Sequence, residues 1–172
     1  YLLRYKSFKI NLSKTLSMNK KMIDTTNGNI FISKDFEVNS STKLVDLENY
    51  FGKDKLEVDI VSEKYCNATV RDLEVFGYYF ILSFYFENEK LTHANFYPRL
   101  EAENNSSWDN YDQKAEMDLK TSWMAIQAGD TSKFVWDLNI AGRHYSFSYK
   151  WGSMGTYYDF KNGTFLCVLT YK

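Results

Sequence analysis

The stretch "FGYYFILSFYFENEKLTHANFYP", residues 76–98, decides the fold. Side chains alternate across a strand with a period of two. Tyr78, Phe80, Leu82, Phe84 and Phe86 therefore share one face, and Tyr79, Ile81, Ser83 and Tyr85 share the other. Both faces are apolar, which predicts a central strand over 78–87 that is covered on each side. Gly77 marks the corner before it, and Asn88 in "ENEK" suits a tight hairpin turn into a partner strand over 91–97. Pro98, the one proline, is expected to end that partner because it has no N–H for the ladder. Upstream, residues 69–75 read as a third antiparallel strand.

Working outward, "KLEVDIVSEKY" alternates as well. Leu56, Val58 and Ile60 fall on a packed side, with Glu57, Asp59 and Val61 toward solvent, the pattern of a half-buried strand. Before it, "SSTKLVDLENYFG" predicts a helix with Ser or Thr at the N-cap, an apolar stripe of Leu44, Leu47 and Phe51, and Gly52 as its stop. "TNGNIFISKDFEV" predicts a turn at Asn27 and Gly28 followed by a short β segment carrying Ile30 and Ile32. Downstream, Ser106 and Asp109 form an S-x-x-D capping box. The helix it opens carries Tyr111, Ala115, Leu119, Trp123 and Ile126 on its core stripe, keeps Asp112, Glu116, Lys120 and Gln127 outside, and stops at Gly129. The remainder reads as β throughout. It closes on an Asn162–Gly163 turn and a last strand with Phe165, Cys167, Leu169 and Tyr171 on one face.

The expected architecture is α+β, a bent antiparallel β-sheet with two packed helices. Residues 1–26 read as an N-terminal arm and 27–172 as a single domain, a size ordinary for one core. Aromatic residues supply 18% of the chain (Tyr 14, Phe 13, Trp 4), enough planar area to build that core. No segment reaches the length of apolar sequence that spans a membrane, and the N-terminal residues make a poor signal peptide, so the cytoplasm is the expected location.

Net charge of −1 disfavours nucleic acid and anionic membranes as partners, and so does the shortage of arginine, with only Arg4, Arg71, Arg99 and Arg143. Cys66 and Cys167 stand in no C-x-x-C or zinc-ligand spacing; they read as small packed hydrophobes, with a disulfide between them as the minor alternative. No metal site and no cofactor motif is expected: calcium loop, P-loop and dinucleotide fingerprint are all missing. The two histidines, His93 and His144, lie in no recognisable catalytic context. The carboxylate groups (Asp109, Asp112 and Glu116; Glu101 and Glu103; Glu57 and Asp59) have no demonstrable gap across a cleft, and those at the helix start favour its dipole. Trp136, Tyr149, Trp151, Tyr157 and Tyr158 cannot all be interior if the strands alternate, which makes them the candidate binding residues. "KWGSMG" reads as a broad hairpin or bulge at its two glycines.

The pattern Tyr149-x-Trp151-Gly152, then Tyr158-Asp159 and a hydrophobic final strand ending at Tyr171, resembles that of small uncharacterised bacterial proteins. The segment 76–98 is similar to the same group, some members of which resemble immunity proteins. The resemblance covers about the last two thirds of the chain and assigns no residue a role. It implies a non-catalytic protein-binding module that neutralises a cognate bacterial toxin by direct contact. Two other classes stand beside it: a small-ligand or glycan binder with an aromatic groove, and a hydrolase with an acidic site. The missing catalytic constellation favours a protein partner over an enzyme.

Overall fold

Two-residue turns build the centre of the sheet. Phe76 (φ 51°) and Gly77 (φ 82°) sit between the paired residues Val75 and Tyr78, and Asn88 (φ 50°) and Glu89 (φ 63°) between Glu87 and Lys90. Positive φ at both central positions is the turn whose twist matches that of the strands it joins. Strands β4 (Tyr65–Val75), β5 (Tyr78–Glu87) and β6 (Lys90–Arg99) thus form the expected antiparallel meander.

The computed structural model describes residues 20–102, 113–129, 145–159 and 164–172. The remaining strands are β1 (Ile30–Phe31), β2 (Glu37–Val38), β3 (Leu56–Ile60), β7 (Tyr145–Ser148), β8 (Gly152–Asp159) and β9 (Thr164–Tyr171). Among the described residues there are two helices, α1 (Leu44–Phe51) and α2 (Gln113–Ala128). Seven strands form one antiparallel sheet in the order β3-β4-β5-β6-β9-β8-β7, with β1 and β2 as a separate pair. The fold is α+β, one domain with two helices on a large antiparallel sheet.

Register aligns the apolar rows of the sheet. Ala68, Phe84, Ala94 and Leu169 lie side by side, as do Val70, Leu82, Phe96 and Cys167, and all are buried. Helix α2 closes this inner face by setting Trp123 against Phe80 and Phe96, with ring centroids 5.5 and 5.3 Å apart. The opposite row of β5 is only half-buried apart from Ser83, so the expected double coverage holds on the inner face alone.

Helix α2 departs from the reading of its stripe. Ala115 is exposed, whereas Lys120 and Gln127, expected outside, are 1% and 0% exposed. Each has a polar reason to go in. The Lys120 ammonium pairs with Glu116, donates to the carbonyl of Phe165 (2.6 Å) and lies 5.1 Å from the Tyr97 ring centroid. Gln127 Oε1 accepts the backbone N–H groups of Met22 (2.6 Å) and Ile23 (3.1 Å). A hydropathy stripe cannot anticipate such long-range bonds. Met22 and Ile23, which the sequence places in the arm, are themselves buried in the core.

Smaller differences have equally local causes. Pro98 lies within β6, opposite Phe80, because β9 pairs with β6 only over His93–Phe96 and asks for no N–H that far along. At the start of α1 the N-cap is Lys43, whose N–H donates to the Asp46 carboxylate (2.8 Å), while the Thr42 hydroxyl accepts from Asn39 N–H. Gly152 opens strand β8, where an added Cβ would come 1.9 Å from the Thr170 carbonyl oxygen. Close approach of β9 explains that glycine. Cys66 on β4 and Cys167 on β9 are free thiols with β5 and β6 between them. Three strand spacings separate them by about 14 Å, well beyond disulfide reach. The capping box of Ser106 and Asp109, and the Asn162–Gly163 turn, lie outside the described residues.

Candidate functional site

The aromatic residues singled out in the sequence do not share one surface. Tyr149 and Trp151 come together in the β7–β8 turn, their rings stacked at 5.1 Å and 4°. Trp151 is also tied inward. Its Nε1–H donates to the Thr25 carbonyl (2.9 Å), its ring lies against Gly28, and Tyr171 packs at 6.1 Å while its hydroxyl donates to the Gly28 carbonyl (2.9 Å). An added Cβ at Gly28 would come 2.5 Å from the indole, so the turn and the tryptophan fit only with glycine there. Tyr157 and Tyr158 stand at the other end of β8, and alternation sends them to opposite faces: Tyr157 beside Leu166 and 44% exposed, Tyr158 beside Phe165 and half-buried. Trp136 lies outside the described residues.

Exposed apolar surface concentrates instead where α1 meets β3. The expected packing of Leu56, Val58 and Ile60 holds for Leu56 alone, since Val58 and Ile60 are 38% and 75% exposed. Val45 on α1, Val61 and Tyr65 are also exposed. The reason is geometric. A helix of eight residues is about 12 Å long, and a five-residue strand followed by its turn outruns it at about 3.3 Å per residue. Beyond Leu56, every residue from Glu57 to Tyr65 is exposed.

Between helix and sheet this corner forms a groove of about 540 Å³, bounded by Leu44, Val45, Ile60, Cys66 and Phe86, with Lys43 and Glu63 among its polar margins. The scaffold beneath it is well tied. Asn88 N–H donates to the Lys64 carbonyl (2.7 Å), joining the β3–β4 turn to the β5–β6 hairpin. The Tyr65 hydroxyl donates to Glu87 (3.0 Å), a bond that raises the phenol pKa because ionisation would lose it. Burial also pushes the Cys66 thiol up, which leaves it a weak nucleophile. Charge at the rim is mixed. Glu57 pairs with Arg71 (2.9 Å), whereas the Asp59 carboxylate has no hydrogen-bond or ion-pair partner among the described residues.

His93 stacks on Tyr85 (4.2 Å, 8°), and its Nδ1 meets the Thr92 hydroxyl at 3.1 Å. Burial holds its pKa below the ordinary value of 6.5, so the ring is a neutral sheet residue at pH 7. His144, Glu103, Asp109 and Asp112 lie outside the described residues. Among the described residues no group of three or more His, Cys, Asp and Glu side chains is placed to hold a metal ion, and no helix is long and apolar enough to cross a membrane.

No family model matches this sequence, and no curated protein matches it. Among solved structures the chain is similar to one from a complex titled "Rhs1-CT in complex with cognate immunity protein RhsI1". The two are 15% identical, with 87% of this chain and 86% of that chain covered at a TM-score of 0.46.

The α1–β3 corner was missed by sequence reasoning because alternation reports which residues share a face and not whether a neighbour covers it. The adjacent pair Ile60–Val61 was the available signal. In a half-buried strand one of two consecutive branched apolar residues must face water.

Proposed function

We propose that this chain is a non-catalytic protein-binding module that engages its partner through the α1–β3 corner, and that the partner is a bacterial toxin neutralised by direct contact. One observation carries the binding reading: Val45 and Ile60 are exposed and line an apolar groove on a hydrogen-bonded scaffold, with Val58 exposed next along the same face of β3. Contiguous apolar surface of this kind marks interaction sites, whereas singly scattered exposed hydrophobics need no explanation. The immunity-type partner is supported by the likeness of residues 76–98 and 149–171 to small uncharacterised bacterial proteins, some of which resemble immunity proteins. We place the protein in the cytoplasm, where its two free thiols stay reduced.

An affinity-tagged copy, its Ile60→Asp variant and an untagged control, each incubated with lysate of the source organism and compared by quantitative mass spectrometry, test this. One protein retained in stoichiometric amount by the parent chain and lost with Ile60→Asp is the expected result. The reading fails if nothing is retained even after crosslinking, or if the variant retains the same protein equally well. Purified partner then shows whether its toxicity is suppressed by the parent chain.

A further inference from the structure

We infer that β3 is a docking strand: the partner extends the seven-stranded sheet by adding a strand alongside Glu57–Val61, with basic side chains over Glu57 and Asp59 and apolar ones over Val58 and Ile60. This rests on the protein-binding reading above and specifies its mode. Among the described residues β3 stands at one end of the sheet, so alternate backbone N–H and C=O groups along it have no described strand to pair with. Edges of this kind are usually blunted, and the adjoining stretch of the same edge is. Beyond the end of β3 the outer strand is β4, where the register shifts between Val70 and Leu73, Asp72 turns to φ 50° and binds Arg99 (2.9 Å), and the run 71–74 ends in Glu74. That bulge and its charges prevent pairing there. Glu57–Ile60 has no such bulge: its register with β4 is unbroken, it is exposed and carries no lysine or proline, and its charges are the acids Glu57 and Asp59 on one side.

Side-chain chemistry then selects the occupant. Val58 and Ile60 belong to the row that continues through Ala68 and Cys66 into the groove, so a partner strand's apolar residues on that side extend the inner face. On the other side stand Asp59 and Glu57, the latter also holding the Arg71 guanidinium (2.9 Å). A second copy of this chain is opposed by those two acids. The antiparallel register that aligns all five residues of β3 with a copy sets Glu57 against Asp59 twice. Sliding by two residues either way sets Asp59 against Asp59 or Glu57 against Glu57. Like charges directly opposite are destabilising, and opposite charges are favourable. The strand that fits therefore alternates Lys or Arg with Val or Ile, and it comes from another protein.

The probe is a capped six-residue peptide alternating lysine and valine, titrated into the full chain by NMR, with hydrogen exchange of the amides at 57–61 as the second readout. Saturable shifts confined to β3 and the groove, with slowed exchange along β3, are expected. Replacing lysine by glutamate in the peptide should weaken binding about fivefold or more, and Asp59→Lys should reverse that preference. N-methylation of alternate peptide amides, on the register that faces β3, should abolish binding while leaving charge and side chains intact. No saturable binding, or binding indifferent to both N-methylation and charge, overturns the proposal, as does a dimer of the chain alone in sedimentation equilibrium that Ile60→Asp dissolves. Failure here is separable from failure of the binding reading. A natural partner that is lost with Ile60→Asp, retained by Asp59→Lys and without effect on β3 exchange leaves the corner an interface and removes strand addition.

Discussion

The turn that holds Trp151 and the corner where α1 meets β3 have similar sequences in one respect, since each places large apolar side chains beside a short element near the domain's rim. They end in opposite states. At Trp151 the chain returns from the distant N-terminal segment, and Thr25, Gly28 and Tyr171 take up the indole's N–H and face. At β3 nothing among the described residues returns to cover Val58, Ile60 and Val61. An aromatic residue on a turn is thus consumed by folding, while branched aliphatic residues on a regular strand are left exposed.

Breaking the first region should cost stability most. Trp151→Ala removes a half-buried indole together with its bond to Thr25, and is expected to lower the unfolding free energy by about 3 kcal/mol, read by urea denaturation at pH 7. An unchanged midpoint would show that the N-terminal turn packs without it. Gln127→Met tests the same docking from the helix side. It keeps the volume but leaves the N–H groups of Met22 and Ile23 buried without an acceptor, an expected loss of about 2 kcal/mol, with faster hydrogen exchange at those two amides.

A smaller effect separates folded histidine chemistry from function. The His93 pKa is depressed in the folded chain by burial, so the unfolded chain takes up its proton first as pH falls. Its contribution is present in full above the unfolded value of 6.5 and is lost as pH falls from there through the lower folded pKa. His93→Gln should flatten the stability profile in that window and leave partner binding at pH 7 unchanged. Loss of binding in this variant with the fold intact would move the site toward the centre of the sheet. The smallest stability change belongs to the second region. Ile60→Ser should alter the unfolding free energy by no more than about 0.5 kcal/mol while reducing partner retention, the reverse of the Trp151→Ala pattern.

Much of the fold was legible. The alternation in 78–87, the Asn88 turn and the helix start near Leu44 each follow from local chemistry, which acts between residues close in sequence. Less of the site was. Tyr149 and Trp151 do meet, but their partners Thr25 and Gly28 lie more than a hundred residues away, and no local pattern links them. Lys120 and Gln127 were misplaced for the same reason, because their burial depends on carbonyl and amide groups brought in from β9 and from residues 22–23.

By itself, then, the sequence determined the central strands, their hairpin at Asn88 and which side chains of those strands share a face, since dihedral preferences and periodicity are properties of short segments. Only the tertiary structure decided which faces are covered. That depends on strand order, on the length of α1 against β3 and on long-range hydrogen bonds, and it is why the Trp151 turn is closed while, among the described residues, the β3 edge stays open.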